Sequence, residues 1–250
     1  MLINLFNTVK TSGVPCTLRE LLDLLGALEN RLAYANIDDF YHLSKAILGR
    51  SHRSKVALEK ISNVINLTKE ILNIPSDYHI GVVPASDTGA IEMLMWSMLG
   101  KKPVEVLAWE SFGLDWVKDI TEQLKIKNTN TYKADYGDLV NLNEVNFDSD
   151  VIFTWNGTTS GVRVPDGEWI DDNRKGLTLC DATSAVFSMD MPWNKLDATT
   201  FSWQKVLGGE AQHGVIVMSP NALERLESYI PDRAIPKIFQ LAKDLSLIHI

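Results

Sequence analysis

The sequence predicts an α/β fold: a mainly parallel sheet with helices on both faces, preceded by a short helical segment. Three observations point there. Short apolar runs recur at residues 80–84, 104–109, 151–155, 177–180 and 215–218, each the length of a buried strand. Stretches with helical apolar spacing lie between several of them. Small, hydroxyl or carboxylate residues follow the strands directly, along the edge where open α/β sheets gather ligands.

With 250 residues, the chain has room for one large domain or two small ones. Its apolar fraction of 45% is ordinary for a globular protein. A formal net charge of -8 argues against a nucleic-acid or anionic-membrane partner. No apolar run approaches a membrane span, and the first residues lack a basic region followed by an apolar core, so a cytoplasmic location is expected. Cys16 and Cys180 give neither a disulfide framework nor metal-ligand spacing, and no metal is expected.

Residues 1–48 read as a helical packing unit. Thr17 and Glu20 have the spacing of a capping box, and Leu18, Leu21, Leu22, Leu25 and Leu28 form one helical face. Asp38 or Asp39 is placed to cap a further helix running to Ile47. The composition then changes at Leu48-Gly49-Arg50-Ser51-His52-Arg53-Ser54-Lys55, a basic cluster in an acidic chain. Arginine presents a planar fork of donors suited to phosphate or carboxylate, although a solvated basic turn would look the same. A helix follows, with Leu58, Ile61, Val64, Ile65, Ile71 and Leu72 on one face, and Asn73-Ile74-Pro75 ends it.

From residue 79 strands and helices alternate. Ile80-Gly81-Val82-Val83-Pro84 breaks at Ala85-Ser86-Asp87-Thr88-Gly89 into a helix carrying Ile91, Met93, Leu94, Met95 and Leu99. Backbone N–H groups at such a turn suit a phosphate, and a plain Ser/Asp/Thr cap is the simpler alternative. Asp87 is an odd neighbour for a phosphate, so its backbone rather than its carboxylate would serve there. Residues 104–109 form the next strand, Glu110-Ser111-Phe112-Gly113 a turn, and Trp116, Val117, Ile120 and Leu124 the following helix. Thr131-Tyr132-Lys133-Ala134 is a short strand, and residues 136–145 an acidic loop. Residues 151–155 empty into Asn156-Gly157-Thr158-Thr159-Ser160-Gly161, polar enough for a binding loop. Leu177-Thr178-Leu179-Cys180 ends on Asp181, and the run through Phe201 ends on Gln204-Lys205 before Gly208-Gly209.

A lysine leaving a buried strand is suited, when its amine is desolvated, to imine formation with an aldehyde cofactor. An aspartate at another strand end could keep a pyridine nitrogen protonated, so that the ring accepts carbanion electrons. Lys205, Asp181 and the Ser86–Gly89 turn together therefore point to pyridoxal 5'-phosphate.

The same stretches resemble a known family. From Gly49 to about Lys243 the chain is similar to phosphoserine aminotransferases, class V enzymes of fold type I. The resemblance is carried by the basic cluster, Val83-Pro84-Ala85-Ser86-Asp87-Thr88-Gly89-Ala90, Trp109-Glu110-Ser111-Phe112-Gly113, residues 154–165, Cys180-Asp181-Ala182-Thr183-Ser184-Ala185 and residues 201–210. It implies that Lys205 is the Schiff-base lysine and Asp181 the partner of the ring nitrogen. It puts Asp87 and Thr88 in the phosphate turn, Phe112 on the ring face, and Thr158 and Gln204 at positions that hydrogen-bond the cofactor. His52 and Arg53 would bind the anionic groups of the substrate. The implied reaction passes the amino group of glutamate to 3-phosphohydroxypyruvate, giving phosphoserine and 2-oxoglutarate for serine biosynthesis, with pyridoxine biosynthesis as a related use. A homodimer is implied as well.

Residues 1–48 resemble instead, through Leu18-Arg19-Glu20 and Asp38-Asp39-Phe40-Tyr41, the start of CoxE-like proteins with a von Willebrand factor A domain. The expected organisation is thus a foreign helical segment at 1–48, the cofactor-binding large domain at 49–243 and an artefactual tail at 244–250, with the small domain missing. Such a chimeric or truncated chain is expected to bind cofactor weakly and to transaminate poorly or not at all. Two other readings stay open: a non-catalytic interaction protein, and another class V enzyme such as a serine–glyoxylate aminotransferase or cysteine desulfurase.

Overall fold

A computed structural model of the chain describes residues 7–8, 10–11, 18–29, 50–243 and 246–247, with the backbone alone for residues 18, 20, 27–29, 50–58, 243 and 246–247. The capping box at Thr17, the helix expected to run to Ile47, the 38–41 half of the CoxE-like stretch and most of the 244–250 tail lie outside the described residues. The chain divides into two compact units, Met1–Thr68 and Lys69–Ile250, the division falling inside a helix.

In the first unit, helix α1 spans Leu18–Glu29. It buries Leu21 and Leu24 and leaves Leu22 and Leu25 exposed, so the expected face is turned. Six leucines spread around one short helix allow more than one i, i+3 line, and periodicity alone does not choose between them. Helix α2 spans Arg50–Ile71. Here the expected apolar face departs from the structure: Ile61, Val64 and Ile71 are exposed, as is Leu67. The spacing is amphipathic, but among the described residues nothing covers that stripe.

The second unit is built on a seven-stranded sheet. Its strands are β1 (His79–Pro84), β2 (Val104–Ala108), β3 (Thr129–Lys133), β4 (Asp150–Thr154), β5 (Thr178–Asp181), β6 (Ala198–Ser202) and β7 (His213–Met218). Their order is β1-β7-β6-β5-β4-β2-β3. The β6-β5-β4-β2-β3 block is parallel, while β7 runs antiparallel to both of its neighbours. Strands β2, β4 and β6 are buried at every residue, which is why they read as unbroken apolar or small-residue runs.

Three helices follow strands: α3 (Ser86–Met98), α4 (Ser111–Lys118), which runs on into a π-helical turn at Asp119–Gln123, and α5 (Pro220–Ser228). Residues of all three join Val106, Ile152, Leu179, Ala198 and Ile216 of the sheet in one apolar cluster. Side chains of opposite parity face irregular segments, where Phe153 meets Trp169 edge-on at 5.1 Å and Phe201 meets Phe187 at 5.8 Å. Arg225 of α5 grips buried Asp150 at the start of β4 with two bonds of 2.7 and 3.0 Å and also donates to Met98 O at the end of α3. A last short pairing joins β8 (Ala242–Lys243) to β9 (Ser246–Leu247).

Candidate active site

The turn from β1 into α3 is strained. Ala85 and Ser86 have φ of 69° and 60°, a left-handed conformation rarely taken by residues with a Cβ. Glycines make room for it: a Cβ on Gly89 would overlap Pro84 O, and one on Gly214 would overlap Ser86 O. The helix is preceded by Ala85, which supplies no side-chain cap. The simple Ser/Asp/Thr cap is therefore absent, and the first N–H groups of α3 keep their donor capacity for an anion. The Ser86 hydroxyl instead donates to Gln204 Oε1 at 2.8 Å, tying this turn to the loop that carries Lys205.

Asp181 ends β5. Its register partners are Thr154 on β4 and Thr200 on β6, so three side chains project from one rung to the same face of the sheet. Asp181 Oδ1 accepts a bond from Thr183 N at 3.1 Å. Asp87, from the first turn of α3, reaches the same place and is only 6% exposed. Burial, and then the neighbouring Asp181, push the Asp87 carboxyl well above the usual carboxylate range, while the Thr200 and Thr183 hydroxyls pull it partly back. Its carboxylate is thus turned into the protein, away from the open helix terminus.

Lys205 lies beyond the end of β6 in a turn closed by Gly208 N to Lys205 O and Gly209 N to Trp203 O, at 3.0 and 2.7 Å. Both Lys205 and Gln204 are exposed. The desolvated amine invoked for an imine-forming lysine is therefore not present in this chain alone. Phe112, in the first turn of α4, is 41% exposed and offers an open ring face. Thr158 pairs with the Ser184 hydroxyl at 2.6 Å.

Asp87, Thr88, Phe112, Thr158, Asp181, Gln204 and Lys205 all line one cleft with about 440 Å³ of empty volume. His52 and Arg53 lie in the first turn of α2, and their side chains fall outside the described residues. Sequence reasoning did not pick out Glu110, Trp116, Thr154 or Thr183, which also line the cleft. Glu110 was legible in principle, since it stands three residues before Gly113, whose N–H it caps at 2.7 Å. Its second oxygen accepts from Thr159, whose hydroxyl also meets Tyr136 OH at 3.0 Å. The cleft walls hold several polar atoms with no protein partner: Asp87 Oδ1, Thr154 Oγ1, Asn156 Oδ1 and Thr183 Oγ1. Buried polar atoms are rarely left so, and their gathering here suits a polar ligand.

No protein-family model matches the sequence. Over 201 residues, 80% of this chain, it is 60% identical to the phosphoserine aminotransferase of Methanosarcina mazei, of which it covers 54%. The chain thus spans about half the length of the curated relatives it matches. A phosphoserine aminotransferase structure from Cytophaga hutchinsonii superposes with a TM-score of 0.63 at 23% identity, covering 81% of this chain and 52% of that one. A phosphoserine aminotransferase from Trichomonas vaginalis, solved with PLP bound, gives a TM-score of 0.56 at 15% identity, over 73% and 50% of the two chains. Those two likenesses establish the fold.

Proposed function

We propose, from its homology to phosphoserine aminotransferase over four-fifths of its length, that this chain carries the cofactor-binding half of a pyridoxal-phosphate-dependent transaminase. The observation that carries the reading is the single cleft that gathers all seven of the residues expected to touch the cofactor. The walls fit a phosphorylated pyridine: an uncapped helix N-terminus for the phosphate, a carboxylate at a strand end for the ring nitrogen, an open aromatic face and an amine at the mouth. Their unpartnered polar atoms fit it as well.

When bound, pyridoxal phosphate supplies an electron sink for the pair released at the α-carbon of the substrate. The residues do the rest. Lys205 would hold the aldehyde end, and its amine would move the proton at the substrate α-carbon. Asp181 would hold the ring nitrogen and keep it charged. Thr88 and the backbone around it receive the phosphate, with Ser86 and Gln204 locked together beside them. Phe112 would close one face of the ring and exclude water there. On the resemblance, His52 and Arg53 take the anionic groups of phosphohydroxypyruvate and glutamate, and the enzyme works as a cytoplasmic homodimer in serine and pyridoxine biosynthesis, with no nucleic-acid partner.

The test is to add cofactor to the purified chain, reduce with borohydride and map the modified residue by mass spectrometry. The reading expects a visible absorbance band and a label on Lys205, both lost in Lys205→Ala. A label elsewhere, or a band that survives in the variant, defeats the lysine assignment. Transfer of the amino group from glutamate to 3-phosphohydroxypyruvate, assayed alongside, tests the substrates separately.

A further inference from the structure

We propose that Asp87 is a positioning residue for the ring-nitrogen end of the cleft: as a neutral acid it donates a hydrogen bond to Asp181 and holds Asp181 as the charged partner of a bound pyridine nitrogen. The inference rests on the cofactor reading above and concerns how this chain prepares that contact.

The geometry is specific. The rung Thr154–Asp181–Thr200 presents its side chains on the α3 side of the sheet, and Asp87 arrives there from the first turn of α3. Asp87 Oδ1 is buried without a hydrogen-bond partner in the protein, as are the Oγ1 atoms of its neighbours Thr183 and Thr200. Asp181 Oδ1 is engaged by Thr183 N, which leaves the other oxygen for its neighbours. Asp87 and Asp181 line the same cleft and Asp181 acts on the Asp87 carboxyl; two such neighbouring carboxylates, one of them buried, do not both stay charged, and one holds a proton. The more buried of the two, Asp87, is the one that burial makes neutral. A neutral Asp87 also removes the clash of charge that its place in the phosphate turn would otherwise create. It then fixes the plane of Asp181 through a charge-assisted bond, stronger than one between neutral groups.

The test measures dissociation constants on the 250-residue chain for pyridoxal phosphate and for its analogue with C–H in place of the ring nitrogen. Asp87→Ala should weaken pyridoxal phosphate about tenfold, the loss of one charge-assisted hydrogen bond, and leave the analogue nearly unchanged. Asp87→Asn keeps an N–H donor and should restore most of the affinity for pyridoxal phosphate. Thermal melts of the ligand-free variants check that each one folds. Equal losses for both ligands in Asp87→Ala, or no rescue by asparagine, overturn the inference and leave the cofactor reading standing. Failure of the unaltered chain to bind either ligand overturns both.

Discussion

At the level of single residues, this protein brings partly buried carboxylates together in pairs. Away from the cleft, Glu92 of α3 accepts a bond from Trp96 Nε1 at 2.9 Å and lies beside Asp119 in the π-helical turn. Burial first, and then the charge of Asp119, raise the Glu92 carboxyl to about 7. A carboxyl raised on folding favours the native state most below its unfolded value, and that contribution is lost as pH climbs from there through about 7. Glu92→Gln keeps an acceptor for Trp96 and removes the titration. The variant should match the parent near pH 4 and exceed it by on the order of 1 kcal/mol at pH 8, a figure reduced for the solvent that reaches this half-buried group. Urea unfolding at the two pH values measures it, and a gap that does not widen with pH refutes the assignment. Pairs of this kind were not legible in the sequence, where Glu92 and Asp119 are far apart and each looks like an ordinary surface acid. Asp87 showed only a conflict of charge, which its buried placement beside Asp181 resolves.

The informative elements are those where local pattern and tertiary surroundings disagree. The strands were legible because burial on both faces leaves a continuous apolar run, as in Val104–Ala108 and Asp150–Thr154. The exposed stripe on α2 was not, because amphipathic spacing says which side of a helix is apolar and nothing of whether this chain covers it. The composition of the β1–α3 turn suits either an anion or a plain Ser/Asp/Thr cap, and neither reading reaches its left-handed Ala85 and Ser86, which come from the close approach that Gly89 and Gly214 permit. Gly89→Ala should therefore cost about 1–3 kcal/mol, since the new methyl group forces a backbone shift in a packed turn. Chemical denaturation gives the loss, and a neutral effect would mean that the turn is not clamped as described.

At the scale of the whole unit, a buried ion pair stitches the helical face to the sheet. Arg225→Met strands the Asp150 carboxylate, 0% exposed, without its cation and should destabilise the protein by about 3–5 kcal/mol. Asp150→Asn in the same chain should recover a large part, because it removes the orphaned charge, and the double-variant comparison reads the coupling. The reversed direction of β7 was invisible to sequence patterning, since a buried antiparallel strand has the same apolar run as a parallel one.

That strand has a consequence for the order of assembly. Among the described residues β1 pairs only with β7, residues 79–84 with residues 213–218, so the first strand of the sheet has no partner until the last of its strands has been made. Gly214, which admits the Ser86 carbonyl, arrives with it. Long-range pairing of this kind slows folding. The phosphate turn thus matures only once residues 213–218 have been made, and a ribosome-bound chain that stops short of residue 213 should expose Asp181 on a sheet that has no finished cleft around it.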